Sequence, residues 1–569
     1  MMKKFFLALT FFSVFLAAVA IWYLPVLFKG YNSTTVGSHA LVRARNYAET
    51  GIYATENEQN VILAPELILS DSQESFYGNR LGTILYSYLL KFFPLHNNNQ
   101  IVLANSMILA LSLVISALAV YILFNLKIAV LFSAFYIFFP STWFLPQYMV
   151  GYEFSFVFLA LFFLFFVLAN KKGGAGPLKN RDRAYLILSG ISLALVGLSR
   201  EALFLIYPIL LLFLVAQRQF KRLLLIFIPI AAILGILWLP DFLSGKNTYL
   251  LFFTGENESL KSADYSYYAH LFPDPYTYYY DREPYLAQYL ANDSDDLMKG
   301  LGAGKVMQNM GFKSVGLGER ISIAMPLFLR HLFRFFSISE MGGPLIFMLM
   351  AAGFYVLKTR NNFWFKFFSS WILGSLFLLA FVNLAGRNHL MDFGFAVGIG
   401  IALGMDFVSE TFSEKIFNNN YRRLATVLFA VFIVYNLILS GHIMLSMVYN
   451  KSTVPIVEYY SNKVKEFDIA PEEVIALPLD ANNAFNLNFA TRKSIIVLRD
   501  ETVKKLITEN KLKEVFGLYN VKYILGYNPD IAEEILKNAE VALISDNSVD
   551  LNQKASFSTT KSWFLNLIK

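Results

Sequence analysis

The residues able to do chemistry in this 569-residue chain are few, and the most telling of them stand at the ends of long apolar stretches. Arg200 and Arg387 are two such cations, and Glu153, Glu201 and Asp392 are carboxylates in comparable positions, with His389 close to Asp392. Further acids, Glu49, Glu66, Asp71 and Glu74, follow the first apolar stretch, together with His39, Arg43 and Arg45. A guanidinium presents a planar fork of N–H donors that matches a phosphate. A carboxylate can take a proton from a hydroxyl or an amine, and an imidazole can do so near neutral pH. Plainer readings stand beside each. An arginine at a helix end can reach to lipid headgroups, Glu201 can pair with its neighbour Arg200, and His39 can be a surface loop residue. Glu153 sits at the edge of a strongly apolar run, where a charge sinking into hydrocarbon costs several kcal/mol, so it is expected to line a polar cavity.

Other chemistries fail on spacing. GLGAGKV at 300–306 is one residue short of a phosphate-binding loop, and Val306 stands where Ser or Thr is needed. There is no HExxH, no GxSxG and, with no cysteine in the chain, no thiolate site or disulfide framework. The six histidines are scattered. Sequons occur at Asn32, Asn257, Asn292 and Asn450, a pattern short enough to arise by chance.

The elements that must position these residues are membrane helices. Of the residues 56% are hydrophobic and 16% charged, against roughly 45–50% and about 25% in an ordinary soluble domain. Mean hydropathy is +0.49. This excludes a disordered chain, a soluble nucleic-acid binder and a secreted disulfide scaffold. A span needs about 20 apolar residues, and about eleven candidates can be drawn, at 5–28, 101–123, 128–146, 153–169, 184–199, 202–216, 223–243, 343–357, 367–384, 391–408 and 424–447. The first reads as a retained anchor, being too long for a signal-peptide core and lacking a clean cleavage site.

Basic residues test this topology, because Lys and Arg gather in short cytoplasmic loops. With the N-terminus inside, the inner loops hold Lys127; Lys171, Lys172, Lys179, Arg181 and Arg183; Arg218, Lys221 and Arg222; Lys358, Arg360 and Lys366; and Lys415, Arg422 and Arg423. The short outer connections hold almost nothing basic except Arg200 and Arg387. The net charge of +7 is thus explained by topology rather than by a nucleic-acid partner.

Three long segments then lie outside, at 29–100, 244–342 and 448–569. The first contains a helical pattern at 38–51 and an amphipathic one at 79–94, too short to span and expected in the membrane interface. The second is rich in tyrosine between Tyr249 and Tyr289, read as an interfacial aromatic belt or as a platform for sugar or lipid, and 321–340 reads as another interfacial helix. In the third, strand-like runs at 474–479, 494–498, 521–526 and 541–545 alternate with helical segments at 500–517 and 529–539, the pattern of a small α/β domain. The expected fold is a mainly α polytopic bundle over 1–447 with an extracytoplasmic α/β domain over 448–569.

Four segments, in this order, resemble the GT-C superfamily of polytopic membrane glycosyltransferases, nearest its protein O-mannosyltransferase and aminoarabinose-transferase-like branches. ARNYAETG at 44–51 is similar to the family's ARNLAEGG, and NRLGTILYSYLLKFFP at 79–94 to its interfacial helix. GYEFSFVFLALFFLF at 151–165 is similar to the span that begins TEPLF, and GLSREALFLIYPILLLFL at 197–214 to GLTRPEALLLLPLLLL. GRNHLMDFGFAVGIGIAL at 386–403 is a weaker fifth, and the order covers nearly the whole chain. The resemblance implies a GT-C-like bundle in the plasma (inner) membrane, a polyprenyl-phosphate sugar as donor, and a protein, lipid or glycan as extracytoplasmic acceptor. It names no resident cofactor and leaves a divalent metal open.

On that resemblance the catalytic candidates are Glu153, Asp71, Glu74 and His39, and the donor phosphate would meet Arg200, Arg387, Arg43 and His389. One departure stands out. Family members carry an Asp shortly before the ARN segment, whereas the matching stretch here is TTVGSHA at 34–40, and no Asp or Glu occurs between Phe28 and Ala48. His39 occupies the approximate place of that acid. The departure leaves a second expectation open, a non-catalytic relative that binds lipid-linked glycan. A transporter or flippase is a third, disfavoured by the absence of a clear internal repeat.

Overall fold

The computed structural model describes 2–29, 80–93, 98–139, 151–171, 178–200, 205–243, 343–381, 392–417 and nearly all of 454–545, with scattered positions in 41–49, 61–62, 142–146, 203, 325–336 and 427–438. Of the features expected above, the tyrosine-rich stretch and the 300–306 loop lie outside these residues.

The helical unit is built from α1 (Met2–Lys29), α2 (Arg80–Phe92), α3 (Asn98–Leu123), α4 (Leu126–Phe138), α5 (Glu153–Asn170), α6 (Asn180–Ser199), α7 (Ile206–Ala216), α8 (Phe220–Leu243), α9 (Pro344–Arg360), α10 (Asn362–Phe381) and α11 (Gly394–Phe417). Six of the described helices are long and apolar enough to cross a membrane: α1, α3, α5, α6, α10 and α11. Their sequences show why. The run EFSFVFLALFFLFFVLAN of α5 is apolar on every face, as expected of a helix bordered by lipid or by other apolar helices. Only 11% of the α1 window is buried against 78% of that of α11, so α1 lies at the edge of the bundle and α11 near its middle.

Two devices close the bundle. One is an aromatic seam in which Phe166 of α5 stacks at 4.8 Å on Phe367 of α10, flanked by Phe213, Trp364 and Trp371. The other is the approach of α9 to α11. A Cβ on Gly353 would lie 1.7 Å from the carbonyl oxygen of Gly400, so only glycine permits this separation.

The second unit is a parallel sheet with helices. After α12 (Val454–Val464) come β2 (Val474–Leu477), α13 (Ala481–Thr491), β3 (Ser494–Val497), α14 (Asp500–Thr508), α15 (Leu512–Leu518), β4 (Val521–Leu525), α16 (Pro529–Asn538) and β5 (Ala542–Ser545). The strand order is β1-β3-β2-β4-β5, all parallel, where β1 is Val61–Ile62. The edge strand is therefore supplied by the loop that follows α1, some 400 residues earlier in the chain, and pairs Val61 with Ile495 and Ile62 with Ile496. Residues in β2 and β3 are buried throughout, as in sheets covered on both faces. The expected helix at 500–517 is instead two, α14 and α15, because Asn510 turns the chain through a left-handed conformation (φ 57°).

Candidate functional site

Three of the charged residues singled out by sequence meet at one end of the helical unit. Glu153 is the first residue of α5, Arg200 follows the last residue of α6, and Asp392 lies two residues before α11. All three are buried, with Glu153 1%, Arg200 1% and Asp392 5% exposed. Arg200 Nη1 forms an ion pair of 2.9 Å with Asp392 Oδ1. Its guanidinium also lies over the rings of Tyr152 (5.3 Å) and Phe156 (5.5 Å), one turn apart at the head of α5. Arg200 is thus enclosed, and reaching out to headgroups does not describe it.

The partner of Arg200 is far away in sequence. Its neighbour Glu201, the partner expected from sequence, lies outside the described residues; among the described residues a carboxylate comes from just before α11. The backbone explains the arrangement. Arg200 is extended (φ −160°, ψ 118°) and its N–H still closes α6 on the Val196 carbonyl, so the side chain leaves the helix end sideways into the bundle.

The head of α5 is held by a second close approach. Gly151 adopts φ 89°, and a Cβ on Gly82 of α2 would fall 2.1 Å from the Gly151 carbonyl oxygen. The amphipathic helix expected at 79–94 is thereby pinned, through its own glycine, to the residue two before Glu153. Its C-terminal end exposes Tyr88, Phe92 and Phe93 beside Lys91, the mix of aromatic and basic side chains found at membrane interfaces.

The carboxylate of Glu153 is faced by the backbone N–H groups of Glu153 itself and of Gly151, and by the positive charge of Arg200. Tyr136 of α4, buried and with its hydroxyl without a hydrogen bond among the described residues, is close enough to Asp392 to feel its charge. Neither Tyr136 nor Tyr152 was singled out by sequence, and only their contacts with the charged residues reveal them. Asp392 also lines a small cleft with Ser375, Trp371, Leu379, Leu203, Leu205 and Ile206. Its walls are mostly apolar, with the carboxylate and one hydroxyl as the polar groups.

Of the remaining candidates, Asp71, Glu74, His39, Arg387, Arg43 and His389 lie outside the described residues. Arg45 is described, and it is committed elsewhere. Buried in the α/β unit, it donates from Nη1 to the Asn488 carbonyl (3.0 Å) and from Nη2 to Asn488 Oδ1 (2.9 Å). Burial lowers its pKa from the usual arginine value to about 10, opposed by the nearby Glu49 carboxylate. Among the described residues no cluster of three His, Cys, Asp or Glu could hold a metal ion. Midway along α11, Asp406 pairs with Lys127 at the start of α4.

No protein-family model matches the sequence, and no curated protein matches it. Solved structures are similar to it. The archaeal oligosaccharyltransferase AglB from Archaeoglobus fulgidus, in complex with an inhibitory peptide and a dolichol-phosphate, is 14% identical with a TM-score of 0.49, over 92% of this chain and 69% of that one. ArnT from Cupriavidus metallidurans, bound to undecaprenyl phosphate, is 12% identical with a TM-score of 0.43, over 94% and 89%. Both are GT-C glycosyltransferases. These likenesses assign no role to any residue of this chain.

Proposed function

We propose that the protein is a membrane glycosyltransferase that moves a sugar from a polyprenyl-phosphate donor to an acceptor on the extracytoplasmic side. The observation that supports this reading is the convergence of Glu153, Arg200 and Asp392, from three helix ends, in segments whose sequence and order resemble GT-C glycosyltransferases.

In this reading the acceptor hydroxyl or amine attacks the anomeric carbon of the donor sugar. The bond from that carbon to the phosphate oxygen breaks, and the lipid phosphate departs with the bonding pair. Glu153 takes the acceptor proton. Arg200, steadied by Asp392 and the two rings, places a permanent positive charge where negative charge develops. A pre-organised charge in a site closed to water acts more strongly than the same charge in solution. Arg387, Arg43 and His389 are further candidates for the phosphate, and Asp71, Glu74 and His39 for the proton.

The test is transfer of labelled sugar from a polyprenyl-phosphate donor by purified wild-type protein, Glu153→Gln and Arg200→Ala. Wild-type transfer with losses of at least about a hundred-fold in Glu153→Gln, the range typical of a general base, supports the assignment. Transfer at the wild-type rate by both variants overturns it. The missing carboxylate between Phe28 and Ala48 favours one second reading, a non-catalytic relative. Binding of the lipid-linked sugar without turnover on peptide, lipid or glycan acceptors would establish that reading.

A further inference from the structure

Two tyrosines of the helical unit are treated differently by the fold. The hydroxyl of Tyr207 in α7 donates to the Leu193 carbonyl of α6 at 2.7 Å. Tyr136, two residues before the end of α4, is 1% exposed, and its hydroxyl makes no hydrogen bond among the described residues. A hydroxyl taken from water without a new partner costs free energy, and nearly all buried polar groups in folded proteins are partnered. Phenylalanine would fill the same space without that cost, and the chain uses it at buried Phe132, Phe135 and Phe139 close by. Packing alone does not account for the hydroxyl at 136.

The fold nonetheless holds this side chain firmly. Its ring meets Trp22 of α1 at 6.5 Å, Phe132 at 5.8 Å and Phe395 of α11 at 5.4 Å between centroids. The backbone beside it is clamped as well. The last carbonyls of a helix lack intrahelical partners, and here side chains supply them. The indole Nε1 atoms of Trp22 and Trp143 each donate to the Ile137 carbonyl at 2.9 Å. The Thr142 hydroxyl stands within hydrogen-bond reach of the carbonyls of Tyr136 (2.9 Å) and Phe139 (2.7 Å). A phenol fixed in this way has little freedom left to lose when a partner arrives.

The surroundings point to that partner. Tyr136 is close enough to Asp392 to feel its charge, and Arg200 Nη1 pairs with the same carboxylate at 2.9 Å. The phenol and the guanidinium thus border one group, and an oxygen held by Arg200 comes into the neighbourhood of the hydroxyl. Because the charge of Arg200 is shared with Asp392, an incoming phosphate gains from a further donor. A neutral O–H supplies one without a second charge to bury. We infer that the Tyr136 hydroxyl is a hydrogen-bond donor to the lipid-phosphate oxygen that departs from the sugar. It keeps its proton throughout and stabilises the charge that develops beside Arg200. The identity of the ligand rests on the function proposed above; the unmet hydroxyl does not.

Polyprenyl phosphate is the departed group itself, so its binding reports on this contact without an acceptor. The test measures heat unfolding and polyprenyl phosphate affinity of full-length wild type, Tyr136→Phe and, as control, Tyr207→Phe. Tyr136→Phe should melt at or above the wild-type temperature, bind polyprenyl phosphate about ten-fold more weakly and lower kcat for transfer at least about ten-fold. Tyr207→Phe, which loses a hydrogen bond already made, should melt lower and keep wild-type affinity. Wild-type affinity in Tyr136→Phe overturns the inference. A melting temperature lowered as in Tyr207→Phe also overturns it, because the hydroxyl then has its partner in the free protein. Wild type that binds polyprenyl phosphate but never transfers sugar would sink the proposed activity and leave the binding role of Tyr136 standing. Wild type that does not bind polyprenyl phosphate would sink both.

Discussion

Removing both members of the Arg200–Asp392 pair should cost clearly less than the sum of removing each alone. The pair is 2.9 Å long, with side chains 2% and 6% exposed. In Asp392→Leu the guanidinium keeps the faces of Tyr152 and Phe156 but loses its carboxylate inside an apolar bundle. Breaking a buried pair in this way costs about 3–5 kcal/mol, whereas replacing both partners by apolar groups of similar size is often neutral or better. Arg200→Met should cost a similar amount by removing the cation 2.9 Å from the buried Asp392 carboxylate. The double variant Arg200→Met/Asp392→Leu, which also takes the cation away from buried Glu153, should still lose clearly less than the sum of the singles, giving a coupling of about 1–3 kcal/mol. Trp22, Trp143, Trp364 and Trp371 are all buried in the bundle, so tryptophan fluorescence during heating in detergent reports on it. Losses in the double variant equal to the sum of the singles would refute a coupled pair. The same variant separates two roles, because a stable bundle without transfer activity would show that Arg200 does more than hold α6 to α11.

Two further perturbations follow from the packing. Gly82→Ala places a methyl carbon 2.1 Å from the Gly151 carbonyl, so α2 must move off the head of α5; a thermal destabilisation of about 1–3 kcal/mol is expected, with a loss of transfer larger than that of a matched Ala at exposed Tyr88. Tyr527 is buried and donates to the Leu498 carbonyl at 2.9 Å, and burial first, then the Asp500 charge, raises its pKa well above the usual tyrosine value. Its neutral form is favoured by the fold, so its contribution is complete below the unfolded pKa of about 10 and is lost above it, by at most about 1.4 kcal/mol per pH unit. Alkaline denaturant titrations followed by tyrosinate absorbance should show this loss in the wild type and a flatter profile in Tyr527→Phe, and identical profiles would contradict it.

Much of the helical unit was legible because its cause is local. Apolar runs about the length of a bilayer and the one-sided placement of Lys and Arg depend only on neighbouring residues, and α3, α5, α6 and α8 fall within a few residues of their expected positions. The four C-terminal strands were legible for the same reason, as short Val, Ile and Leu runs between polar helices. Structure made by partners far away in sequence could not be read. Val61–Ile62 is a dipeptide whose strand state exists only because Ile495 and Ile496 lie beside it. The sequence ANNAFNLNFAT of α13 has four asparagines, residues that favour caps and turns over helix interiors, so its helix depends on burying Ala484 and Leu487. The site divides along the same line. Glu153 and Arg200 were found as charges at apolar ends, but the pairing of Arg200 with the sequence-distant Asp392 is a property of packing.

The scarcity of charge also explains how the site end of the bundle can be kept rigid. Asp406 lies twelve residues into α11, about 18 Å along its axis at 1.5 Å per residue. Lys127 holds Asp406 at that level and Arg200 holds Asp392 just before the helix begins. A helix packed only by apolar side chains can rotate or slide by small steps at little cost, since many such packings are nearly equivalent. An ion pair in apolar surroundings has no equivalent neighbour position, because leaving it unmade strands a charge. The buried Arg200–Asp392 pair just before α11 and the part-exposed Lys127–Asp406 pair at its middle set the rotation and height of its first half, and the glycine contact with α9 sets its distance. The carboxylate that lines the cleft is therefore placed by interactions along the first half of the helix, and substitutions at Lys127 or Gly353 should alter the site although neither residue touches it.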